Sequence, residues 1–282
     1  MSTPVITLTS DFGLRDGFVA AMRAAILGIL PDASIVDISH DVPPQDVAQG
    51  AFIVGTTCPR FPEGTVHVAV VDPGVGTDRR PVVLMAGGHV YVAPDNGLLT
   101  YILSAHGAGG YPQQLAREGG FGMPTRLPVP EVCSAYLLNR DAYWLAPVSR
   151  TFHGRDIFAP VAAHIASGVR PGDVGEPVDT LTYLNLLHPV REEDAIHGRV
   201  IYVDGFGNLA TNLVAREMEE TKVVVEIGGQ RIFGLSDSYA AGGGLLAIAG
   251  SHGYLEIALT NGSAARRLGA AVGTGVTVTT AG

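Results

Sequence analysis

The sequence contains few cysteines, little positive charge and no long hydrophobic run. Its two cysteines, Cys58 and Cys133, lie far apart and outside any C-x-x-C pattern. We therefore expect reduced, buried thiols in a reducing compartment. The formal net charge is -9, from 18 Lys and Arg against 27 Asp and Glu, which argues against nucleic-acid binding because such proteins carry a basic patch. No stretch approaches about 18 uninterrupted apolar residues, so no membrane-spanning helix is expected.

Several enzyme motifs are missing as well. H-E-x-x-H, G-x-S-x-G and the P-loop do not occur, which leaves zinc proteases, serine hydrolases and P-loop enzymes without support. The nine histidines do not fall at ligand spacing, so we expect no metal site. The first residues show no basic stretch followed by an apolar core, and we expect a cytoplasmic protein without a secretory signal.

One glycine-rich segment matches the sequence pattern of a dinucleotide-binding fingerprint but lacks its structural context. Residues 205–210 read G-x-G-x-x-A after a predicted strand. A dinucleotide site would need a surrounding βαβ unit and an acidic residue that closes a second strand about 20 positions further on, and the pattern gives no clear βαβ unit and no such strand end. We therefore predict no cofactor.

Composition indicates a globular chain with many turns. Hydrophobic residues make up 46% of the sequence and charged residues 16%, which is ample material for a core. Glycine accounts for 37 of 282 residues without a G-X-Y period, so it indicates turns rather than a fibre. The length suggests about two domains.

Strand and helix patterns alternate in the N-terminal part, which favours a mainly parallel sheet in an α/β domain. Asp16 and Asp46 precede the two helical patterns and are predicted N-caps. Gly87 and Gly88 are a predicted hairpin turn. The predicted strands are 5–9, 35–38, 65–71, 82–86 and 89–93, and the predicted helices are 17–30, 47–57, 98–103 and 157–167. Residues 105–130 have little periodicity and are predicted to be a surface excursion.

The pattern changes to short strands and frequent turns in the last third, which is typical of a small antiparallel barrel or sandwich. The predicted strands are 199–203, 223–227, 231–233, 245–249, 254–259 and 276–279, with helices at 213–220 and 263–268. We therefore predict an α/β domain over 1–172, a linker over 173–195 and a β-barrel-like domain over 196–282.

Polar side chains follow three of the predicted strands, and the second of these strands leads into Ser39, His40 and Asp41. Asp11 ends the first strand, and Asp72 ends the apolar run 65–71 ahead of a Pro-Gly loop. In open α/β sheets ligands bind at the carboxyl ends of strands. On spacing alone, Asp72 either caps its own turn or belongs to a site in which Arg79 reaches back to it. A second polar stretch, 151–156, precedes a helix and favours the site.

The residues by themselves therefore predict an enzyme or binding protein for a polar, nucleoside-like ligand. Carboxylates suit ribose hydroxyls or an ammonium group, an amide suits a carboxylate, and an ionisable trio suits chemistry. The candidates are Asp11, Asp16, Asp72, Arg79, His153, Asp204 and Asn208.

Six ordered segments, spread over nearly the whole chain, resemble the S-adenosyl-L-methionine (SAM) hydroxide adenosyltransferases, or adenosine-forming SAM hydrolases, which are relatives of the fluorinases and chlorinases. They are Thr9–Gly13, Val71–Gly76, Ala93–Thr100, Thr151–Pro160, Asp204–Asn208 and Gly253–Ala258. The resemblance implies an N-terminal α/β domain and a C-terminal β-barrel-like domain. It also implies a homotrimer that binds SAM between the N-domain of one subunit and the C-domain of the next.

The resemblance implies a role for each candidate. Asp72, Arg79 and His153 are the expected catalytic trio that holds water or hydroxide. Asp11 is expected to bind the ribose hydroxyls, and His252 stands where the halogenating relatives have an Arg. The remaining expected substrate contacts are Asp16 and Asp204 with the methionine ammonium, Asn208 and Ser251 with its carboxylate, and Phe206 packing nearby.

Four positions separate this chain from its halogenating relatives. Those enzymes carry Tyr at the positions of Asp72 and His153, Ser at Gly154 and Thr at Val75. A desolvated halide prefers an apolar pocket with few donors, whereas a hydroxide needs charged partners. The resemblance therefore implies attack of water or hydroxide at C5′ of SAM, giving adenosine and L-methionine, with no metal and no cofactor. A SAM- or adenosine-binding regulatory protein and a halogenase are the alternatives.

Overall fold

The computed structural model describes residues 3–108, 120–218, 223–241 and 243–280. The chain forms two units, the first made of Met1–Gly110 and Pro124–Leu184 and the second of Tyr111–Met123 and Asn185–Gly282. The predicted excursion 105–130 falls partly outside the described residues, and the predicted domain limits at 172, 195 and 196 stay predictions.

A six-stranded sheet organises the first unit, in the order β2-β1-β3-β5-β4-β7. Strands β2, β1, β3 and β5 run parallel, whereas β4 and β7 are antiparallel additions at one side. The strands are β1 (Val5–Ser10), β2 (Ser34–Ser39), β3 (Val66–Val70), β4 (Pro81–Ala86), β5 (His89–Pro94) and β7 (Ser134–Leu137). The mainly parallel α/β fold predicted from the sequence is confirmed.

Helices cover this sheet through apolar faces. They are α1 (Phe18–Ile29), α2 (Val47–Thr57), α3 (Thr100–Ala105) and α4 (Ala159–Ala166), the last preceded by a π-helical turn, Gly154–Phe158. Met22 and Ile26 of α1 and Val161 of α4 are fully buried in one core with the strands. Asp46 caps α2 as predicted, accepting from the Gln49 N–H at 3.0 Å. The predicted cap at Asp16 is wrong, because α1 starts after Gly17 without a side-chain cap.

Part of the predicted excursion is ordered as a strand. Residues Pro124–Pro128 form β6, which pairs with β8 (Thr180–Leu184) in a separate two-stranded sheet. Sequence periodicity missed β6 because alternate residues of this strand are exposed and its two ends are prolines.

The second unit is an antiparallel, barrel-like sheet of eight strands in the order β13-β12-β16-β10-β11-β15-β14, with β9 paired to β10. The strands are β9 (Val190–Arg191), β10 (Ala195–Val203), β11 (Leu209–Val214), β12 (Val223–Ile227), β13 (Gln230–Phe233), β14 (Leu245–Ala249), β15 (Tyr254–Leu259) and β16 (Gly275–Thr280). The helix predicted at 213–220 is only partly right in its described part, since Leu213 and Val214 end β11 and Ala215–Glu217 form a single 3-10 turn.

The short helix predicted at 263–268 is confirmed as α5 (Ala264–Leu268). Ser263 caps it by accepting from the Arg266 N–H at 3.2 Å. Within the described ranges, no helix is long and apolar enough to cross a membrane.

Candidate active site

The parallel register places two carboxylates side by side at the end of the first unit's sheet. Ser10 of β1 pairs with Val70 of β3, so Asp11 and Asp72 leave the sheet at the same edge. Both line a cavity of about 360 Å³, a volume typical of small-molecule sites. Its other lining residues are Phe12, Phe18, Pro44, Gln45, Val70, Pro73, Val75, Thr151, Phe152, His153 and Gly154.

Asp72, Arg79 and His153 are joined by hydrogen bonds. Arg79 Nε donates to Asp72 Oδ1 at 2.9 Å and Oδ2 at 2.8 Å, and Arg79 Nη2 donates to Oδ2 at 2.5 Å. The same Nη2 donates to His153 Nδ1 at 2.7 Å. The side chains of Arg79 and Asp72 are only 9% and 5% exposed. The structure therefore brings the three predicted catalytic residues together.

Arg79 lies behind the cavity wall and holds the other two residues in place. Asp72 and His153 line the cavity, whereas Arg79 does not. The guanidinium carbon lies 5.1 Å from the centre of the Phe158 ring, a cation–π distance. A bidentate guanidinium fixes the orientation of its carboxylate partner, so Asp72 and His153 present fixed groups to the cavity.

The His153 ring is neutral near pH 7. Burial lowers its pKa, the charge of Arg79 lowers it further, and Asp72, Asp156 and the Ser149 backbone oppose this effect. Because a guanidinium can only donate, Nδ1 must accept the hydrogen bond from Arg79. The neutral ring therefore carries its hydrogen on Nε2.

Gly76 allows the two catalytic loops to approach each other. Its φ is +77°, and a Cβ built there would lie 2.3 Å from the carbonyl oxygen of Arg150. The second loop, residues 149–156, is braced by the buried Asp156, which accepts from the Ser149 N–H at 2.8 Å and from Arg155 Nε at 2.6 Å. Together these contacts set the spacing between Arg79 and His153.

Asp95 and Asn96 support the site but are not among the predicted site residues, although they lie in the segment Ala93–Thr100 that resembles the family. Asn96 Nδ2 donates to the carbonyl of Val71 at 2.8 Å, directly before Asp72. Asp95 accepts from Arg80 Nε at 2.9 Å, directly after Arg79. Asp95 and Asn96 thus hold the catalytic loop at its two ends. Their contacts join residues far apart in the sequence, so no local sequence pattern predicts them.

Three phenylalanines form one wall of the cavity. The ring centres of Phe12, Phe18 and Phe152 are 5.0–5.6 Å apart. Gly154 packs beneath them, and a Cβ there would lie 3.1–3.3 Å from Phe152, Met22 Sδ and Phe12. A side chain at this position would therefore crowd the rings, which glycine does not.

The other candidates of the first unit differ in placement. Asp11 faces the cavity, and its Oδ2 accepts from the Gln45 N–H at 2.8 Å. Asp16 is exposed and does not line the cavity. Asp11 therefore joins the trio in one place, and Asp16 stays outside it.

In the second unit, Asp204 and Asn208 form a closed turn between β10 and β11. Asp204 Oδ1 accepts from the N–H groups of Phe206 and Asn208 at 2.9 Å and 2.8 Å, and Oδ2 accepts from Asn208 Nδ2 at 2.9 Å. This turn leaves the phenyl ring of Phe206 81% exposed. The Asn208 amide donates one hydrogen to Asp204 and keeps its oxygen as an acceptor.

A buried carboxylate organises the region near the other two candidates of this unit. Glu256 accepts from Tyr239 Oη at 2.7 Å and lies 3.2 Å from His252 Nε2, while the Tyr254 N–H donates to His252 Nδ1 at 3.2 Å. The bond to Glu256, with burial, raises the pKa of Tyr239 to about 12. Ser251, next to this cluster, is exposed.

No group of three or more His, Cys, Asp or Glu side chains in the described part of the chain is placed to hold a metal ion.

An α/β unit whose strand ends carry an Asp-Arg-His trio, followed by an antiparallel barrel-like unit, defines a two-part protein with a small-molecule site. Models of the N- and C-terminal domains of SAM hydroxide adenosyltransferases match residues 6–175 and 198–277. The chain belongs to the SAM hydroxide adenosyltransferase family.

Individual relatives agree with this assignment. An (R)-S-adenosyl-L-methionine hydrolase of Salinispora arenicola is 37% identical over 282 residues, covering 99% of this chain and 98% of that protein. A fluorinase of Nocardia brasiliensis is 29% identical and covers 90% of each chain. The crystal structure of an uncharacterized conserved protein from Thermotoga maritima matches with a TM-score of 0.81 and 31% identity, covering 98% of this chain and 99% of that one.

Proposed function

We propose that this chain is an adenosine-forming SAM hydrolase. The hydrogen-bonded Asp72–Arg79–His153 arrangement on the wall of the cavity carries the proposal. The domain matches and the relative named as an (R)-SAM hydrolase support the same activity.

The reaction is an in-line displacement at C5′ of SAM. The oxygen of a water molecule forms a bond to C5′ while the C5′–S bond breaks, and the electron pair of that bond neutralises the sulfonium to the thioether of methionine. One proton of the water is released. Since a sulfonium is a good leaving group, the protein has mainly to hold the nucleophile in line with it.

The trio divides this task between its members. Both oxygens of Asp72 accept from Arg79, and their remaining lone pairs accept from the water and receive its proton. The Nε2 hydrogen of neutral His153 donates to the water oxygen and fixes its position. His153 thus acts as a hydrogen-bond donor to the nucleophile.

The other candidates bind the substrate. Asp11 accepts from the ribose hydroxyls beside the trio. Asp16 and Asp204 face the methionine ammonium, Asn208 and Ser251 its carboxylate, and Phe206 covers the bound molecule. His252 has Glu256 and Tyr254 on its two ring nitrogens, so it does not take over the carboxylate contact of the Arg in the halogenating relatives.

We further propose that the chain works in the cytoplasm as a homotrimer, with each SAM bound between the first unit of one subunit and the second unit of the next, and without a cofactor. The exposed Phe206 supports this assembly, because a phenyl ring that is 81% exposed gains from being covered. Sedimentation equilibrium tests the trimer, and a monomer at micromolar concentration would contradict it.

The configuration at sulfur can also be proposed. Relatives are named for the (R) epimer, and an enzyme restricted to one epimer would remove only that part of the SAM pool. We expect faster adenosine release from (R)-SAM than from (S)-SAM in parallel assays on the separated epimers.

Asp72→Asn tests the function, with Asp78→Asn as a matched control in an exposed position of the same loop. Chromatography after incubation with SAM should show adenosine and methionine for the wild type and the control. Asp72→Asn should bind SAM in calorimetry and lose at least about 10²-fold in kcat. Equal turnover by the two variants would refute the role of Asp72.

The same assay separates the alternatives. SAM binding by the wild type without adenosine would identify a regulatory binding protein. A halogenated nucleoside formed only with chloride or fluoride would identify a halogenase. We do not expect this outcome, because the carboxylate and imidazole in this cavity do not suit a desolvated halide.

A further inference from the structure

A second chain of polar residues lies behind the cavity, at the ends of β1 and β2. Ser10 Oγ lies 2.7 Å from His40 Nδ1, and His40 Nε2 lies 3.3 Å from Asp37 Oδ1. Ser10 is completely buried and His40 is 4% exposed. The three residue types are those of a serine hydrolase triad, but a serine without access to solvent cannot attack a substrate.

The position of His40 indicates a different role. Neither His40 Nε2 nor Asp37 Oδ1 forms a hydrogen bond within the described ranges, and at 3.3 Å each has the other as a polar neighbour. With Nε2–H directed at this carboxylate, Nδ1 accepts from the Ser10 hydroxyl. His40 is thereby held by a hydrogen bond at Nδ1 and has a carboxylate beside Nε2.

His40 also ties together the two loops that surround Asp11. Its carbonyl accepts from the Gly13 N–H at 2.7 Å, and Ser10 Oγ accepts from the Phe12 N–H at 3.3 Å. The loop that follows His40 ends at Gln45, whose N–H donates to Asp11 Oδ2 at 2.8 Å. The Asp11 carboxylate is therefore held from a loop that begins at His40.

Gln45 shows that this restraint is maintained against local strain. Its φ is +66°, in the left-handed region that costs a residue with a side chain about 1–2 kcal/mol. Strain of this kind persists only where the surroundings enforce it. The hydrogen bonds of Gln45 with Asp11 and Val47 hold the end of this loop, and those at His40 hold its start.

We propose that His40, held between Asp37 and Ser10, is a positioning residue that orients Asp11 toward the ribose of the substrate. The proposal rests on the ribose-binding role given to Asp11 above. It predicts that His40 affects recognition of the ribose hydroxyls and leaves the trio and the displacement step intact.

Two substitutions separate the roles of the ring nitrogens. His40→Asn places an amide where Nδ1 lies and keeps a partner for Ser10, whereas His40→Leu removes both contacts. His89→Leu is the control, because His89 is a buried histidine of the same unit that bonds to His67 away from the cavity.

Calorimetry with adenosine and with 2′,3′-dideoxyadenosine tests the proposal. We expect His40→Leu to lower adenosine affinity about tenfold, as loss of a bond to a charged group does, and to leave dideoxyadenosine affinity unchanged. His40→Asn should bind adenosine within about threefold of the wild type, and His89→Leu should not discriminate between the ligands. In turnover, His40→Leu should raise KM about tenfold with kcat changed less than about threefold.

Equal loss of both ligands, or a wild-type adenosine affinity in His40→Leu, would overturn the proposal. Amide hydrogen exchange tests it without any ligand, since Gln45 N–H should exchange faster in His40→Leu than in the wild type or His40→Asn; an unchanged rate would also overturn it. Failure of wild-type protein to bind adenosine, with the exchange pattern as expected, would instead contradict the proposed function.

Discussion

Replacing Gly76 by alanine should separate the two catalytic loops with little effect on the remainder of the fold. The new methyl would lie 2.3 Å from the Arg150 carbonyl oxygen, about 1 Å closer than a carbon and an oxygen tolerate. The loop must therefore move by about that distance, which would lengthen the 2.7 Å bond from Arg79 to His153. A misplacement of about 1 Å can cost about 10²-fold in rate.

Gly64→Ala is the matched control for this change. Gly64 also has a positive φ, +83°, but no atom lies within 4 Å of a Cβ placed there. Both substitutions should cost about 1–2 kcal/mol of unfolding free energy through the backbone conformation, measured by urea denaturation. Only Gly76→Ala should lose about 10²-fold in kcat for adenosine release. Equal kcat values for the two variants would show that the loop contact does not set the catalytic geometry.

Three further predictions concern single residues. Because the pKa of His153 is lowered, kcat should be constant near pH 7 and fall at acid pH, where a proton on Nδ1 displaces Arg79. The side chain of His153→Asn accepts a hydrogen bond without titrating, so this variant should lose the acid decrease in a pH–rate profile. A decrease of kcat that begins above pH 7 would contradict the assignment. Burial, with His89, lowers the pKa of His67 from 6.5 to about 3, so the unfolded chain binds more protons below pH 6.5. At pH 5 this difference removes about 2 kcal/mol of unfolding free energy from the wild type. Urea denaturation of His67→Asn should therefore show a correspondingly smaller loss of unfolding free energy between pH 7 and 5 than the wild type. The same loss in both proteins would argue against a neutral buried ring. Gly154→Ser should crowd Phe12 and Phe152 and lower the unfolding free energy by about 1–3 kcal/mol in urea denaturation. This variant should form no halogenated nucleoside with chloride, and detection of one by product chromatography would refute the prediction.

The elements that sequence predicted best are those with a strong local signal. The N-terminal alternation of strands and helices, the hairpin at Gly87 and Gly88 and the Asp46 cap all follow from neighbouring residues. Strand β11 was missed, and its last two residues were assigned to a helix, because its register is set by pairing with β10 and β15. The cap at Asp16 failed because α1 begins without any side-chain partner.

The candidate site was predictable in its residues and not in its geometry. Asp72 and Arg79 lie seven positions apart in one loop, and their pairing was one of the two arrangements that the spacing left open. His153 joins them from 74 residues further along; its polar stretch marks it as a candidate, but only the resemblance to a family could group it with Asp72 and Arg79. That Arg79 lies behind the cavity and that Nδ1 of His153 accepts from it depend on packing that leaves no mark in the local sequence.

The shared guanidinium makes the three catalytic residues one energetic unit. Arg79 Nη2 is bonded to both Asp72 and His153, so a substitution at either residue removes one restraint on the guanidinium and disturbs the other residue. Single-residue losses therefore count part of the same interaction twice, and their free energies do not add. A variant that lacks both Asp72 and His153 would be barely worse than one that lacks Asp72 alone, and any ranking of the two residues from separate substitutions would be misleading.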